Sequence, residues 1–193
     1  DCTSCNTTYH RNLLLTATGT CTCIGGFTSV SPSEDCSPCN YKCLTCNDLT
    51  TCASCDPATH RNNDAQCTCP SRYFDNGSKI CQSCHYSCET CIDSSSCDSC
   101  DSTTSHRLDD TVTRLCKCAP SFYDFNSANI CLSCPYQCET CTNSSMCATC
   151  RDTVDHRENP SLLCPCQAKY FNDGDPVCKP CHHTCATCSL VDT

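Results

Sequence analysis

The sequence predicts a small disulfide-rich fold: an elongated tandem-repeat rod of short β-hairpins, with little regular secondary structure and no large hydrophobic core. Three observations predict it. Cysteine supplies 32 of 193 residues, a density that marks a disulfide scaffold rather than a globular domain. An eight-cysteine figure recurs, its first cysteines at Cys36, Cys81, Cys131 and Cys178, giving periods of 45, 50 and 47 residues; such periods mark a repeat protein. Discounting cysteine, the hydrophobic fraction falls from 38% to about 21%, and there is no Trp. Units of this size seldom stabilise themselves by burial alone. A disulfide closing a loop of roughly 15 residues contributes about 3 kcal/mol, so four per unit outweigh a thin core.

In chain order, residues 1–35 carry Cys2-x2-Cys5 and Cys21-x-Cys23, the second half of a unit. Residues 36–80, 81–130 and 131–177 are full repeats, and residues 178–193 hold the first half of another. Within a full unit the gaps run 2, 3, 2, 5 and 2; then comes a loop of variable length and a C-x-C, as Cys81 to Cys118 shows. The two half-units lead us to expect a segment of a longer array. No stretch holds a 3.6-residue period long enough for a stable helix. Arg72-Tyr73-Phe74-Asp75, Asn76-Gly77 and Lys79-Ile80-Cys81 read as a short hairpin about a turn. Phe122-Tyr123-Asp124 with Asn129-Ile130, and Tyr170-Phe171-Asn172 with Asp173-Gly174, repeat it. The stretches Arg61 to Gln66 and Leu108 to Leu115 read as a second, looser hairpin.

Disulfides at this density require an oxidising compartment, which predicts an extracellular or cell-surface protein. Three N-x-S/T sequons, at Asn6, Asn76 and Asn143, are the N-glycosylation candidates. A net charge of −9 without a basic cluster argues against nucleic acid as a partner. No membrane span or lipid-anchor signal occurs in this segment, so no direct membrane insertion is expected.

Repeated C-x2-C pairs also resemble zinc knuckles. Four such pairs interleaved with C-x-C fit no common four-ligand zinc domain, so neither metal nor cofactor is expected. A nucleophile–base–orienter set is not recognisable, and the sequence is not read as an enzyme. A His-Arg pair recurs at His10-Arg11, His60-Arg61, His106-Arg107 and His156-Arg157. Its structural reading has Arg stacking on a disulfide or ring and pairing a carboxylate; its functional reading has a ligand contact repeated along the rod. The structural reading is favoured. Tyr41, Tyr86 and Tyr136 are expected to cover sulfurs, and Thr45, Thr90, Thr140 and Thr187 to hydrogen-bond backbone within a turn.

The string C-x2-C-[HNP]-Y-x-C-x-T-C-x5-C-x2-C, standing as Cys81 through Cys100 with His85-Tyr86 and Thr90, resembles the furin-like cysteine-rich repeat of the growth-factor-receptor class. The resemblance covers essentially the whole chain. It departs in having Cys67-x-Cys69, Cys116-x-Cys118 and Cys164-x-Cys166 where that family has C-x3-C-P. This tighter variant is similar to cysteine-rich surface proteins of ciliates and other protists. Spacing alone leaves 105 pairings open for eight cysteines. The resemblance implies the pairs Cys5–Cys21, Cys23–Cys36, Cys39–Cys46, Cys43–Cys52, Cys55–Cys67, Cys69–Cys81, Cys84–Cys91 and Cys88–Cys97. It continues with Cys100–Cys116, Cys118–Cys131, Cys134–Cys141, Cys138–Cys147, Cys150–Cys164, Cys166–Cys178 and Cys181–Cys188, and leaves Cys2 and Cys185 over.

The functional expectation is an extracellular structural protein: a disulfide-stapled, glycosylated rod in a cell-surface coat, filament or surface antigen. Its partners would be neighbouring repeats of the same chain, further copies in self-assembly into a filament or coat, and glycans. The alternative is a spacer or dimerisation region of a receptor or adhesion ectodomain.

Overall fold

Among the described residues the strands are two to four residues long and pair into separate two-stranded sheets. The structure is a computed structural model and describes residues 5, 7–11, 20–29, 35–151, 154–159 and 162–189. Among them the only helical turns are the 3₁₀ turns Thr7–Tyr9 and Pro57–Thr59. No helix among the described residues is long and apolar enough to cross a membrane. The fold is a small disulfide-rich series of tandem hairpins. It divides into two compact units, residues 1–84 with 90–94, and residues 85–89 with 95–193.

In the first unit Phe27–Thr28 pairs with Ser37–Pro38, Cys43–Cys46 with Cys52–Cys55, and Tyr73–Phe74 with Gln82–Ser83. The Cys43–Cys46 hairpin is held by local chemistry as much as by its ladder. Thr45 lies opposite Ser54 and the two hydroxyls hydrogen-bond, a cross-strand pair of the kind that stabilises sheets. At the turn the Asp48 carboxylate accepts the N–H groups of Thr50 and Thr51 and the Thr50 hydroxyl, each at 2.8 Å. These bonds, Thr50 first, hold its pKa at about 2. Beneath the hairpin Cys43, Cys52, Cys55 and Cys67 form the core, with Cys39 and Cys46 packed against them.

In the second unit Arg107–Asp110 pairs with Leu115–Cys118, Phe122–Tyr123 with Leu132–Ser133, Thr140–Asn143 with Met146–Thr149, and Tyr170–Phe171 with Lys179–Pro180. The Thr140 and Thr149 hydroxyls meet at 2.7 Å, as Thr45 and Ser54 do. These threonines therefore bond across a hairpin to another hydroxyl, not to turn backbone as the sequence suggested. Cys138, Cys147, Cys150 and Cys164 make the second core, with Cys134 and Cys141 against it. Tyr123 and Phe171 are the only buried apolar side chains other than cysteine among the described residues. Sulfur is the interior of this protein.

Two sequence expectations are corrected by the strand registers. The residues expected to return from Asn76-Gly77 were Lys79-Ile80-Cys81; the returning strand is Gln82–Ser83. The same shift places Leu132–Ser133 after Asn129-Ile130, and Lys179–Pro180 after Asp173-Gly174. The cause is competition for carbonyls: those of Ser78 and Lys79 accept from the Arg61 side chain, so they are not available to a ladder. The looser hairpin is regular only where its loop is long. Cys100 and Cys116, 16 residues apart, enclose most of a four-residue ladder. Cys55 and Cys67, 12 apart, enclose a loop closed by the Asp64 carboxylate on the Gln66 and Thr68 N–H groups. Between Cys150 and Cys166 the pairing among the described residues is one bridge, Arg157 to Cys166.

Candidate functional site: disulfide frame and arginine clasp

Fifteen disulfides join the described cysteines. Two interlocked bridges open each full repeat: Cys39–Cys46 with Cys43–Cys52, Cys84–Cys91 with Cys88–Cys97, and Cys134–Cys141 with Cys138–Cys147. Single bridges follow, Cys55–Cys67, Cys100–Cys116 and Cys150–Cys164. Each C-x-C then ties its second cysteine to the first of the next unit, in Cys69–Cys81, Cys118–Cys131 and Cys166–Cys178. Cys5–Cys21, Cys23–Cys36 and Cys181–Cys188 complete the set. This is the pairing that the resemblance implies. Cys185 carries a free thiol and is half-buried; Cys2 lies outside the described residues. The Sγ atoms of Cys43, Cys52 and Cys67 fall within 4.8 Å of one another. All three are bonded to sulfur, so none offers the thiolate that a zinc ion binds.

The frame leaves each loop after C-x-C to be organised by one arginine. Arg61 donates from Nε to the Lys79 carbonyl at 2.9 Å, from Nη1 to the Cys67 carbonyl at 2.9 Å, and from Nη2 to the Ser78 carbonyl at 2.8 Å. Its two terminal nitrogens also reach the two oxygens of Asp75, both at 3.2 Å. Arg107 repeats the arrangement on the carbonyls of Asn129, Cys116 and Ala128 at 2.9, 3.2 and 2.6 Å, with Asp124 at 3.2 Å. Arg157 holds the carbonyls of Pro176, Cys164 and Asp175 at 2.7, 2.9 and 2.8 Å, and here Asn172 replaces the carboxylate. Arg11 donates to the Cys21 carbonyl at 2.7 Å. Arg107 and Arg157 are each 1% exposed. Charged groups are almost never buried without partners, and five planar donors match a ring of carbonyls in a way no other side chain can.

The flanking residues of the motif complete the clasp. Each His adopts a left-handed backbone, with φ between 53° and 56°, which turns the chain so that Arg points inward. Its ring stacks on the aromatic after the C-x-C: His10 on Phe27, His60 on Tyr73, His106 on Phe122 and His156 on Tyr170, with centroids 4.1 to 5.0 Å apart. The tyrosines expected over sulfur lie over guanidinium groups. Tyr41, Tyr86 and Tyr136 sit 5.5, 5.2 and 5.6 Å from Arg61, Arg107 and Arg157, within cation–π range. Their hydroxyls bond Asp75, Asp124 and Asn172. Sequence reasoning missed these last three residues. Their signal was present: each directly follows the recurring aromatic pair.

Burial alone would raise the Asp75 pKa, but Arg61, then Lys42, the Gly77 N–H and the Tyr41 hydroxyl hold it well below its ordinary 3.8. A carboxyl depressed by folding contributes stability above its unfolded pKa and loses it as pH falls toward the folded value. The 75–81 loop is therefore expected to loosen progressively below about pH 4, read as faster hydrogen exchange at the Gly77 amide relative to its intrinsic rate. The corresponding loop at Asn172 carries no carboxylate in that place, and its Gly174 amide is expected to show no matching change.

Of the sequons, Asn76 is exposed in the 75–81 loop. Asn143 is half-buried at the end of the strand Thr140–Asn143, and Asn6 lies outside the described residues. Comparison with protein-family models, curated proteins and solved structures finds no match to the chain. Fold and site together define a class: disulfide-rich tandem-hairpin proteins with sulfur cores and arginine-clasped loops.

Proposed function

We propose that the chain is part of an extracellular structural protein, a disulfide-stapled and glycosylated rod serving a cell-surface coat, filament or surface antigen. The observation that carries this reading is where the ordered side chains are spent. The buried arginines donate to the protein's own carbonyls and carboxylates, and the sulfurs that converge are all held in disulfides. The recurring polar residues thus hold modules together, which suits a mechanical, non-catalytic role, with neighbouring repeats as the main partners. Covalent closure also resists proteolysis outside the cell.

Loops of unequal length, with sequence separations of 12, 16 and 14 for Cys55–Cys67, Cys100–Cys116 and Cys150–Cys164, favour a second reading. A spacer or dimerisation region in a receptor or adhesion ectodomain would tolerate repeats whose surfaces differ. The test is labelling of intact source cells with a membrane-impermeant amine reagent, joined to small-angle scattering of the purified chain. Labelling without permeabilisation and an elongated scattering profile are expected. Labelling only after permeabilisation, or a compact profile, would contradict the proposal.

A further inference from the structure

We propose that Asn76-Gly77 is a self-modifying site, at which the chain converts Asn76 to aspartate and isoaspartate through a cyclic imide. Three features of the loop meet at this dipeptide. Gly77 has φ +85° and nothing within 4 Å of where a Cβ would stand, so its nitrogen is unhindered as a nucleophile. The Ser78 N–H donates to Asn76 Oδ1 at 3.0 Å, closing a ring that folds the amide back over the Gly77 peptide. The Ser78 hydroxyl lies 2.6 Å from the same oxygen and 2.8 Å from the Ile80 carbonyl, and donates to one of them at a time. Donors on Oδ1 stabilise the negative charge that develops there when its carbon is attacked.

The Gly77 amide has a partner of its own. The Gly77 N–H points at Asp75 Oδ1, 3.1 Å away. That carboxylate is shared by Arg61 and by Lys42, whose Nζ lies 2.9 Å from it. The bond to Asp75 stabilises the protonated glycine nitrogen and so opposes the attack, and the two cations on the same carboxylate weaken that opposition. In the step itself hydroxide takes the Gly77 amide proton, and the nitrogen bonds to Asn76 Cγ. The Cγ–Nδ2 bond breaks, and ammonia leaves after protonation from water. Water then opens the ring at either carbonyl, giving aspartate or isoaspartate without oxidant or reductant.

Among the described residues no other asparagine has this set. Asn172 is held by Arg157 and by Tyr136, and Asp173 follows it. Asn126 and Asn143 are each followed by serine, whose Cβ hinders attack. Isoaspartate adds a backbone methylene between Asp75 and Gly77 and so displaces the Ser78 and Lys79 carbonyls from Arg61, tying the modification to the clasp. An N-linked glycan would occupy the same Nδ2, so the two modifications compete.

The proposal does not depend on the extracellular role. Its test uses the full chain, oxidatively folded in a host without N-glycosylation and incubated at mildly alkaline pH with site-resolved peptide mass spectrometry. Asn76 is expected to convert before Asn126 and Asn143, and at least as fast as in the reduced, alkylated chain. Ser78→Ala is expected to slow it about fivefold, the rate equivalent of one hydrogen bond, while leaving the backbone φ of Gly77 unconstrained. Asn76 surviving after the other asparagines convert, a native rate below that of the alkylated chain, or no slowing in Ser78→Ala would each overturn the proposal.

Discussion

Arg107→Ala is expected to open the loop from Asp124 to Cys131 at a cost of about 3–5 kcal/mol, the range for removing one partner from a buried charged network. The carbonyls of Cys116, Ala128 and Asn129 lose their donor at once, and an unsatisfied buried acceptor costs roughly 1–3 kcal/mol before water enters. The loss should stay local. Cys118–Cys131 still closes the loop ends, and the next clasp, at Arg157, has its own disulfides and carbonyls. Hydrogen exchange resolved along the chain is the measurement: protection should collapse from Asp124 to Cys131 and persist from Asn172 to Cys178. Arg107→Lys should rescue little, since one ammonium cannot span three carbonyls and a carboxylate. Unchanged exchange in Arg107→Ala would show that the disulfides alone shape the loop.

Cys138→Ala/Cys147→Ala is expected to cost about 3 kcal/mol through the loop it frees, whose cysteines have a sequence separation of 9, and more through the core it hollows. Both sulfurs are buried, Cys147 to 2%, and they stand among the four cysteines that make up the second core. Little else is there to collapse into the gap. The strands Thr140–Asn143 and Met146–Thr149 should lose protection together, measured by hydrogen exchange, whereas the Cys43–Cys46 hairpin should not. Complete reduction and alkylation is the limit of the same argument, and should abolish strand structure throughout, measured by circular dichroism and amide dispersion.

Much of this architecture was legible in the sequence, but unevenly. The repeat, the thin core and the cysteine frame follow from Cys36 to Cys178 and their spacing; the pairing does not, and came only with the resemblance. The His-Arg recurrence showed that something repeats at Arg61, Arg107 and Arg157. What it could not show is that the partners are mostly backbone carbonyls, because a carbonyl leaves no mark on residue identity. That same blindness misplaced the hairpins. Asn76-Gly77 is a sound turn signal, yet the carbonyls beyond it belong to Arg61, so pairing resumes only at Gln82–Ser83. Tyr41, Tyr86 and Tyr136 were visible as a repeat but their partner was not, since a ring beside cysteines in sequence lies over a guanidinium 20 or 21 residues away.

The account rests on the disulfide frame, and its most direct test is a map of the bonds in protein from its native source. Free thiols are alkylated first, the chain is opened by stepwise partial reduction with differential alkylation, and the peptides are read by mass spectrometry. The expected result is interlocked bridges, Cys84–Cys91 with Cys88–Cys97, a Cys118–Cys131 link into the next repeat, and alkylation among the described residues confined to Cys185. Bridges within C-x2-C pairs, or most cysteines alkylated before any reduction, would contradict it.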